Sequence, residues 1–283
     1  SLTTTMPAEL LLPLGLGLGE GAIAISDEKF LFVDIHAGAV FEATLDGRHS
    51  KLAQFGHTVG AVAATLSGEV IIAGRHGIKT LDGQLDLALP VQAADVRLND
   101  AKADPAGRFV CGTMTEPPRT GAGSLWSFGD RGPEQIIDGV TISNGLCWSA
   151  DGRSMFYIDT PTQRIDRLDY DTDSGQLSNR RPCVHVDDGA GGPDGMTIDE
   201  EGGLWVALWG GSAVHRYVDG QLDHVIEVPT PFVTSVTIVD QTLVITTANE
   251  PAPDDPLAGH VFKAHVGLRA PLPHRVDLER LAC

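Results

Sequence analysis

The 283-residue chain has few positively charged residues: 20 lysines and arginines stand against 38 aspartates and glutamates, giving a formal net charge of −18. Nucleic acids and anionic membrane surfaces attract basic patches, so this balance argues against both as partners. The apolar run from Leu10 to Leu14 has no basic flank and is too short to cross a bilayer. We therefore expect a protein that binds neither nucleic acid nor membrane.

Cysteines are also few, and they are scattered. Cys111, Cys147, Cys183 and Cys283 form no CxxC pair and no cluster with histidine. Isolated thiols in apolar runs are typical of a reducing compartment, so we expect a cytoplasmic protein. The chain also lacks a GxSxG motif, which gives little support to a serine hydrolase.

Glycine, in contrast, is abundant at 33 residues and recurs within an internal repeat. Four segments share one plan, in which a head residue is followed by a short strand, a turn containing glycine and a second strand. The head and the turn glycine are eight residues apart in each: Gly60 and Gly68, Asn99 and Gly107, Asn144 and Gly152, Asp194 and Gly202. Two looser copies begin at Glu20 and Ser235.

The six head residues follow one another at intervals of 39 to 50 residues. Further strand-like runs follow each pair, and four short strands per repeat are typical of a β-propeller blade. We predict an all-β fold: a six-bladed β-propeller with four antiparallel strands per blade around a central channel. No linker divides the chain, so residues 1–283 are assigned to a single domain. Trp148, Trp205 and Trp209 lie on repeat strands, where we expect them to pack between blades.

This geometry predicts where the head residues lie, because the first strand of each propeller blade lines the channel. Residues at one register therefore converge at one end of the axis. Four of the six heads carry carboxylate or amide oxygens, which suit a hard divalent cation: Glu20, Asn99, Asn144 and Asp194. Such residues also precede strands because they accept hydrogen bonds in turns, but their common register favours a metal site. Asn99 could instead hold a water or the substrate.

The phrases around these heads resemble the family of senescence marker protein (regucalcin), gluconolactonases and related sugar-acid lactonases. They are LGEG from Leu18, RLNDAKADPAGR from Arg97, SNGLCWSADGR from Ser143, PDGMTIDEEGGLWVALWGG from Pro193 and TSVTIVDQTLVITTAN from Thr234. The late PLAGHVF from Pro256 is similar to the bacterial sugar-lactonase branch. The resemblance implies a six-bladed propeller with one catalytic divalent cation in its channel.

The resemblance also implies roles for particular residues. Glu20, Asn144 and Asp194 occupy the positions that coordinate the metal, and Asp194 is also the base that activates water. Oxygen ligands permit Ca²⁺, Mn²⁺, Mg²⁺, Zn²⁺ or Fe²⁺.

Substrate contacts are implied for three further residues. Arg97 and Asn99 occupy substrate-binding positions, and a spacing of two places them on one strand face. Glu116 lies in the loop that faces the substrate in the family.

These residues predict metal-dependent hydrolysis of a sugar lactone, an aldono-1,4- or 1,5-lactone, to the aldonic acid. The expected partner is thus a small molecule, and the expected state is a monomer or a weak homodimer. Two alternatives stay open: an organophosphate (phosphotriester) hydrolase, which an apolar channel mouth would favour, and a non-catalytic calcium-binding propeller. Three or four protein ligands leave room for water and substrate, as a catalytic site requires.

Overall fold

The computed structural model describes residues 2–91 and 93–281. Within these ranges nearly every regular element is a β-strand, and the strands form six sheets. In each sheet the chain runs outwards from an innermost strand through antiparallel hairpins, as short turns between consecutive strands require. The helical elements are the 3₁₀ turns Thr160–Thr162 and Asp188–Ala190 and the α-helix Leu278–Leu281.

The first four sheets each consist of four consecutive strands, which run in order from the innermost to the outermost. Blade one contains Gly19–Ala24, Lys29–Asp34, Ala39–Thr44 and His49–Gln54. Blade two contains Ala61–Ala64, Val70–Ala73, Gly77–Thr80 and Asp86–Ala88. Blade three contains Val96–Ala103, Phe109–Thr115, Gly123–Gly129 and Gly132–Val140. Blade four contains Ser143–Trp148, Ser154–Asp159, Arg164–Tyr170 and Leu177–His185.

The last two sheets each recruit a strand from the beginning of the chain. Blade five contains Gly192–Ile198, Leu204–Trp209, Ala213–Val218 and Gln221–Glu227, and Thr4–Pro7 adds a fifth, parallel strand. Blade six contains Val233–Val239, Thr242–Thr247 and Val261–His265, and its outermost strand is Glu9–Leu12. The sequence did not predict that the first two strands join blades five and six, because this pairing connects segments far apart in the chain.

The six blades form a closed ring. The innermost strand of each blade contacts that of the next, and blade six returns to blade one. Hydrogen bonds seal this last junction: the backbone amides of Ala22 and Ala24 donate to the hydroxyls of Ser235 and Thr237, at 3.0 and 2.9 Å. The predicted six-bladed propeller is therefore confirmed, whereas the assignment of one domain stays a prediction.

Apolar side chains are buried in layers between neighbouring blades. Trp148 lies in the layer between blades three and four, and Trp205, which is fully buried, lies between blades five and six. Complete burial of a large apolar side chain stabilises the fold by about 1.5–3 kcal/mol. These layers hold the blades at fixed angles around the axis. No helix among the described residues is long and apolar enough to span a membrane.

Candidate active site

The head residues of the repeat lie on β-bulges at the inner edge of the ring. In five innermost strands the pairing register shifts at or beside the head: between Glu20 and Ile23, Leu98 and Ala101, Ser143 and Leu146, Pro193 and Met196, and Val233 and Ser235. A bulge adds a residue to one strand and redirects its side chain. Blade two pairs regularly, and a Cβ on its head, Gly60, would lie 2.5 Å from the carbonyl oxygen of Leu98. Glycine at this head is therefore explained by close backbone packing.

Five of the six candidate residues, all except Glu116, line one cavity of about 270 Å³. Its polar lining consists of Glu20, Arg97, Asn99, Asn144, Thr160 and Asp194. Its apolar lining consists of Leu18, Ile35, Met114, Pro118, Ile142 and Trp209. Trp209 thus differs from our expectation, because it faces the cavity while it also packs on Phe232, with ring centroids 4.8 Å apart.

Two carboxylates in the cavity, those of Glu20 and Asp194, are almost fully buried, with 5% and 6% of their surface exposed. Burial, then the charges of Asp194 and Asp100, raise the pKa of Glu20 well above its usual range. Burial and repulsion by Asp100 raise the pKa of Asp194 to about 8, although a hydrogen bond with Glu20 and the charge of Arg97 act in the opposite direction. Ionisation of both carboxyl groups therefore lacks sufficient compensation by positive charge, and they retain protons near neutral pH unless a cation is present.

One oxygen of these carboxyl groups has no partner. Asp194 Oδ1 is buried and accepts no hydrogen bond from the described residues. A buried acceptor of this kind costs free energy unless something pairs with it, and a hard cation would do so. Within residues 2–91 and 93–281 no three His, Cys, Asp or Glu side chains are grouped to hold a metal. A cation here would therefore need the amide oxygen of Asn144 beside the carboxylates, and this mixed oxygen set fits one.

The amide of Asn144 is oriented by Thr160. Asn144 Nδ2 donates to Thr160 Oγ1 at 2.8 Å, and that hydroxyl donates to the carbonyl oxygen of Pro193 at 2.8 Å. With its nitrogen held in this way, Asn144 presents its oxygen to the cavity, where Oδ1 accepts a single 3.1 Å hydrogen bond from the neutral amide of Asn99 and keeps a lone pair. The relation is reversed at Asn99, whose Oδ1 accepts a 2.8 Å hydrogen bond from Arg97 Nη1. An oxygen engaged by a guanidinium is a poorer metal ligand, so the geometry favours Asn99 as a substrate contact.

Glu116 does not line the cavity but lies beside it. Its Oε1 is 2.9 Å from Arg97 Nε, and its Oε2 is 2.8 Å from His36 Nε2. Burial lowers the pKa of Arg97 despite the neighbouring charge of Glu116. The six residues singled out from the sequence thus belong to one contiguous set of polar groups.

Three polar residues near this set were not predicted: His36, Thr160 and Glu250. Each lies in the connection after the second strand of a blade, at the end of the ring where the heads converge. These connections differ in length and composition, so the repeat gives them no common register. Their position after the second strand was the only available signal.

The fold and the cavity define a class of protein: a closed six-bladed propeller with an oxygen-rich group of side chains on its axis. Residues 18–249 match the family model described as "SMP-30/Gluconolactonase/LRE-like region". The chain belongs to this family, which confirms the resemblance seen in its motifs.

Similar proteins cover most of the chain. YvrE of Bacillus subtilis, a proposed sugar lactone lactonase, is 41% identical over 196 residues, which are 65% of this chain and 67% of that protein. Regucalcin of Pongo abelii is 33% identical over 246 residues, or 82% of each chain. The crystal structure of a calcium-binding protein, regucalcin, from Agrobacterium tumefaciens has a TM-score of 0.89 at 26% identity and covers 98% of this chain and 100% of its own.

Proposed function

We propose that this protein is a lactonase that hydrolyses a sugar lactone, an aldono-1,4- or 1,5-lactone, to the aldonic acid. Family membership supports the reaction class, and the name of YvrE points to the same substrates. The observation that carries the proposal is the convergence of two buried carboxylates, an oriented amide and Arg97 on one small cavity. This cavity has the size and polarity to hold one lactone ring against a hydrolytic centre.

The proposed site holds one divalent cation through Glu20, Asn144 and Asp194. When bound, such a cation lowers the pKa of a water towards about 7 and polarises a carbonyl group. Its identity among Ca²⁺, Mn²⁺, Mg²⁺, Zn²⁺ and Fe²⁺ is a matter for measurement, although the regucalcin of A. tumefaciens is described as calcium-binding.

Side chains of the site carry out proton transfer and substrate binding. Asp194 accepts the proton of the attacking water as the new C–O bond forms at the carbonyl carbon. The ring C–O bond then breaks, and the proton reaches the departing alkoxide, so that lactone and water give one hydroxy acid.

Arg97 donates hydrogen bonds to oxygens of the substrate. Asn99 accepts one from a substrate hydroxyl at Oδ1, because both hydrogens of its Nδ2 are engaged by Ser143 and Asn144. Glu116, which lies beside the cavity against Arg97, accepts one from a hydroxyl group at the rim. These contacts fix the ring in position, which is a large part of catalysis.

The test is acid release from a panel of aldonolactones, measured on chelated protein to which single divalent ions are returned. We expect metal-dependent turnover that is lost in Asp194→Ala. The matched control is Asp151→Ala, because Asp151 lies in an exposed turn of blade four, where it accepts hydrogen bonds from its neighbours Ser149 and Arg153. Tight metal binding without turnover of any substrate would instead indicate a calcium-binding propeller without catalytic activity.

A second candidate, phosphotriester hydrolysis, is favoured by one observation. Half of the cavity lining is apolar, from Leu18, Ile35, Met114, Pro118, Ile142 and Trp209. Phosphotriesters are bulkier and less polar than sugar lactones and would contact such a wall. An aryl phosphotriester in the same assay separates the two: faster turnover than with any aldonolactone would reverse our order of preference.

We also propose a cytoplasmic monomer or weak homodimer, without nucleic-acid or membrane partners. The described cysteines, Cys111, Cys147 and Cys183, are free thiols, which supports a reducing compartment. Cys283 lies outside the described residues. Sedimentation at several protein concentrations tests the oligomeric state.

A further inference from the structure

His36 bridges two carboxylates that come from different blades. It lies in the turn after Lys29–Asp34 of blade one. Its Nε2 is 2.8 Å from Glu116 Oε2 of blade three, and its Nδ1 is 2.8 Å from Glu250 Oε1 of blade six. Both glutamates are anchored through their backbone, since their amides donate to the carbonyl oxygens of Asp95 and Gly17 at 2.8 and 3.0 Å.

The chemistry of imidazole determines the protonation state of this bridge. A neutral imidazole has one N–H donor and one lone pair, whereas ionised carboxylates only accept hydrogen bonds. A neutral His36 would therefore direct a lone pair at one of the two glutamates, and only the imidazolium ion can donate to both. In agreement, the hydrogen bonds and charges of Glu116 and Glu250 raise the pKa of His36, although burial alone would lower it.

The bridge engages one oxygen of Glu116, and arginine side chains lie beside the other. Oε2 faces His36, and Oε1 faces Arg97 Nε at 2.9 Å, with Arg75 Nη1 at 4.0 Å. The charged groups in contact with His36 are thus the carboxylates of Glu116 and Glu250. The guanidinium groups of Arg97 and Arg75 lie on the far side of Glu116. With both of its oxygens held, the Glu116 carboxylate has a fixed orientation, and its remaining lone pairs point in defined directions towards a ligand.

We propose that His36 and Glu250 are positioning residues, which hold Glu116 and, through it, Arg97 in the orientation that binds the hydroxyl groups of the substrate. This inference rests on the lactonase function proposed above. Glu116 contacts Arg97, which lines the cavity. His36 and Glu250 contact neither Arg97 nor another lining residue through the bridge. Both therefore act through Glu116 and affect substrate binding more than the chemical step.

The first test compares His36→Gln with His49→Gln in steady-state kinetics. His49 is the matched control, because it is exposed on the outer strand of blade one, where its ring nitrogen Nδ1 is 3.2 Å from the carbonyl oxygen of Gly47. We expect KM to rise about two- to fivefold in His36→Gln, the size typical of a partly exposed ion pair, with little change in kcat. In the wild type KM should rise as the pH increases through the pKa of His36, and this component should vanish in His36→Gln. An equal KM in both variants would overturn the proposal.

The second test is a double-mutant cycle with Glu116→Gln, because a residue that acts through Glu116 has no further effect once that carboxylate is lost. Additive changes in KM would overturn the proposal. An NMR titration of the His36 imidazole tests the bridge without any activity: its pKa should lie above 6.5 and fall in Glu116→Gln and Glu250→Gln. A pKa at or below 6.5 would overturn the bridge. If the wild type turned over no lactone, the proposed function would fail, whereas the titration would still decide the bridge.

Discussion

The side chains of Asn99 and Asn144, which belong to adjacent blades, are joined by a 3.1 Å hydrogen bond from Nδ2 to Oδ1. The bond is one link in a series in which donation runs in one direction, from Arg97 through both asparagines and Thr160 to the carbonyl oxygen of Pro193. Reversal of either amide would place like groups against each other. The series therefore fixes which atom each side chain presents to the cavity.

Asn99→Asp should destabilise the fold. The amide nitrogen of Asn99 also donates to the carbonyl oxygen of Ser143 at 2.7 Å, and a carboxylate oxygen there would face two acceptors. We expect a loss of about 1–3 kcal/mol in the free energy of unfolding, the cost of unsatisfied buried polar groups. Urea unfolding measures this loss, and Gln54→Glu, at an exposed amide beside Lys51, is the control. Equal stability of the wild type and Asn99→Asp would show that the amide orientation is not fixed.

Glu20→Gln should have opposite effects with and without metal. In chelated protein it removes a buried carboxyl group whose pKa is raised in the folded state, and such a group destabilises the fold at a pH above its unfolded pKa. We therefore expect a higher melting temperature than in the wild type near neutral pH. A divalent cation should stabilise the wild type, by about 2.7 kcal/mol at 100 times its Kd, and stabilise Glu20→Gln far less. Thermal unfolding with and without added ion measures both effects.

The control for this prediction is Glu42→Gln, since Glu42 lies on blade one near Lys29 and away from the cavity. An equal response of Glu20→Gln and the wild type to every divalent ion would exclude Glu20 as a ligand.

Arg216→Met should destabilise blade five strongly. Arg216 Nε donates to Asp199 Oδ2 at 2.7 Å, and both side chains are buried. Trp205 Nε1 donates to the same oxygen at 2.8 Å. Loss of one partner leaves a buried carboxylate without its counter-charge, which costs about 3–5 kcal/mol. Arg181→Met removes a more exposed pair with Asp169 and should cost at most about 1 kcal/mol. Similar unfolding midpoints for the two variants would contradict this prediction.

Leu12→Ala should weaken the closure of the ring. Leu12 lies on the outermost strand of blade six and is 1% exposed, whereas Leu10 on the same strand is 47% exposed. We expect a loss of about 2–5 kcal/mol for Leu12→Ala from the lost contacts and the cavity that remains. Leu10→Ala is the control, and denaturant unfolding compares the two. A larger loss for Leu10→Ala would mean that this strand is not paired as described.

The repeat predicted the blades and the axial residues because both depend on local periodicity. Glu20, Asn144 and Asp194 occupy the same position in their repeats, and the closed ring of blades brings these equivalent positions close together. The bulges at these positions could not be predicted, since they are shifts in the pairing of the first and second strands of a blade, which the head-to-glycine spacing does not reveal. His36 contacts Glu116 and Glu250 only in the folded protein, and no sequence spacing connects the three. Asn99 shows a related limit: its residue type fits a ligand, but its neighbour Arg97 engages the oxygen.

The pairing of Glu9–Leu12 with Val261–His265 has a consequence for biosynthesis. Glu9–Leu12 can pair only after its partner strand has been synthesised about 250 residues later, and such distant pairings slow folding. On the ribosome, blades one to four can form from consecutive hairpins, while the first strands stay unpaired and vulnerable to association with other chains. The oxygens of the proposed cation site come from blades one, four and five, so a nascent intermediate that lacks blade five would have an incomplete site. Metal capture would thus report that blade five has been synthesised and has joined the ring.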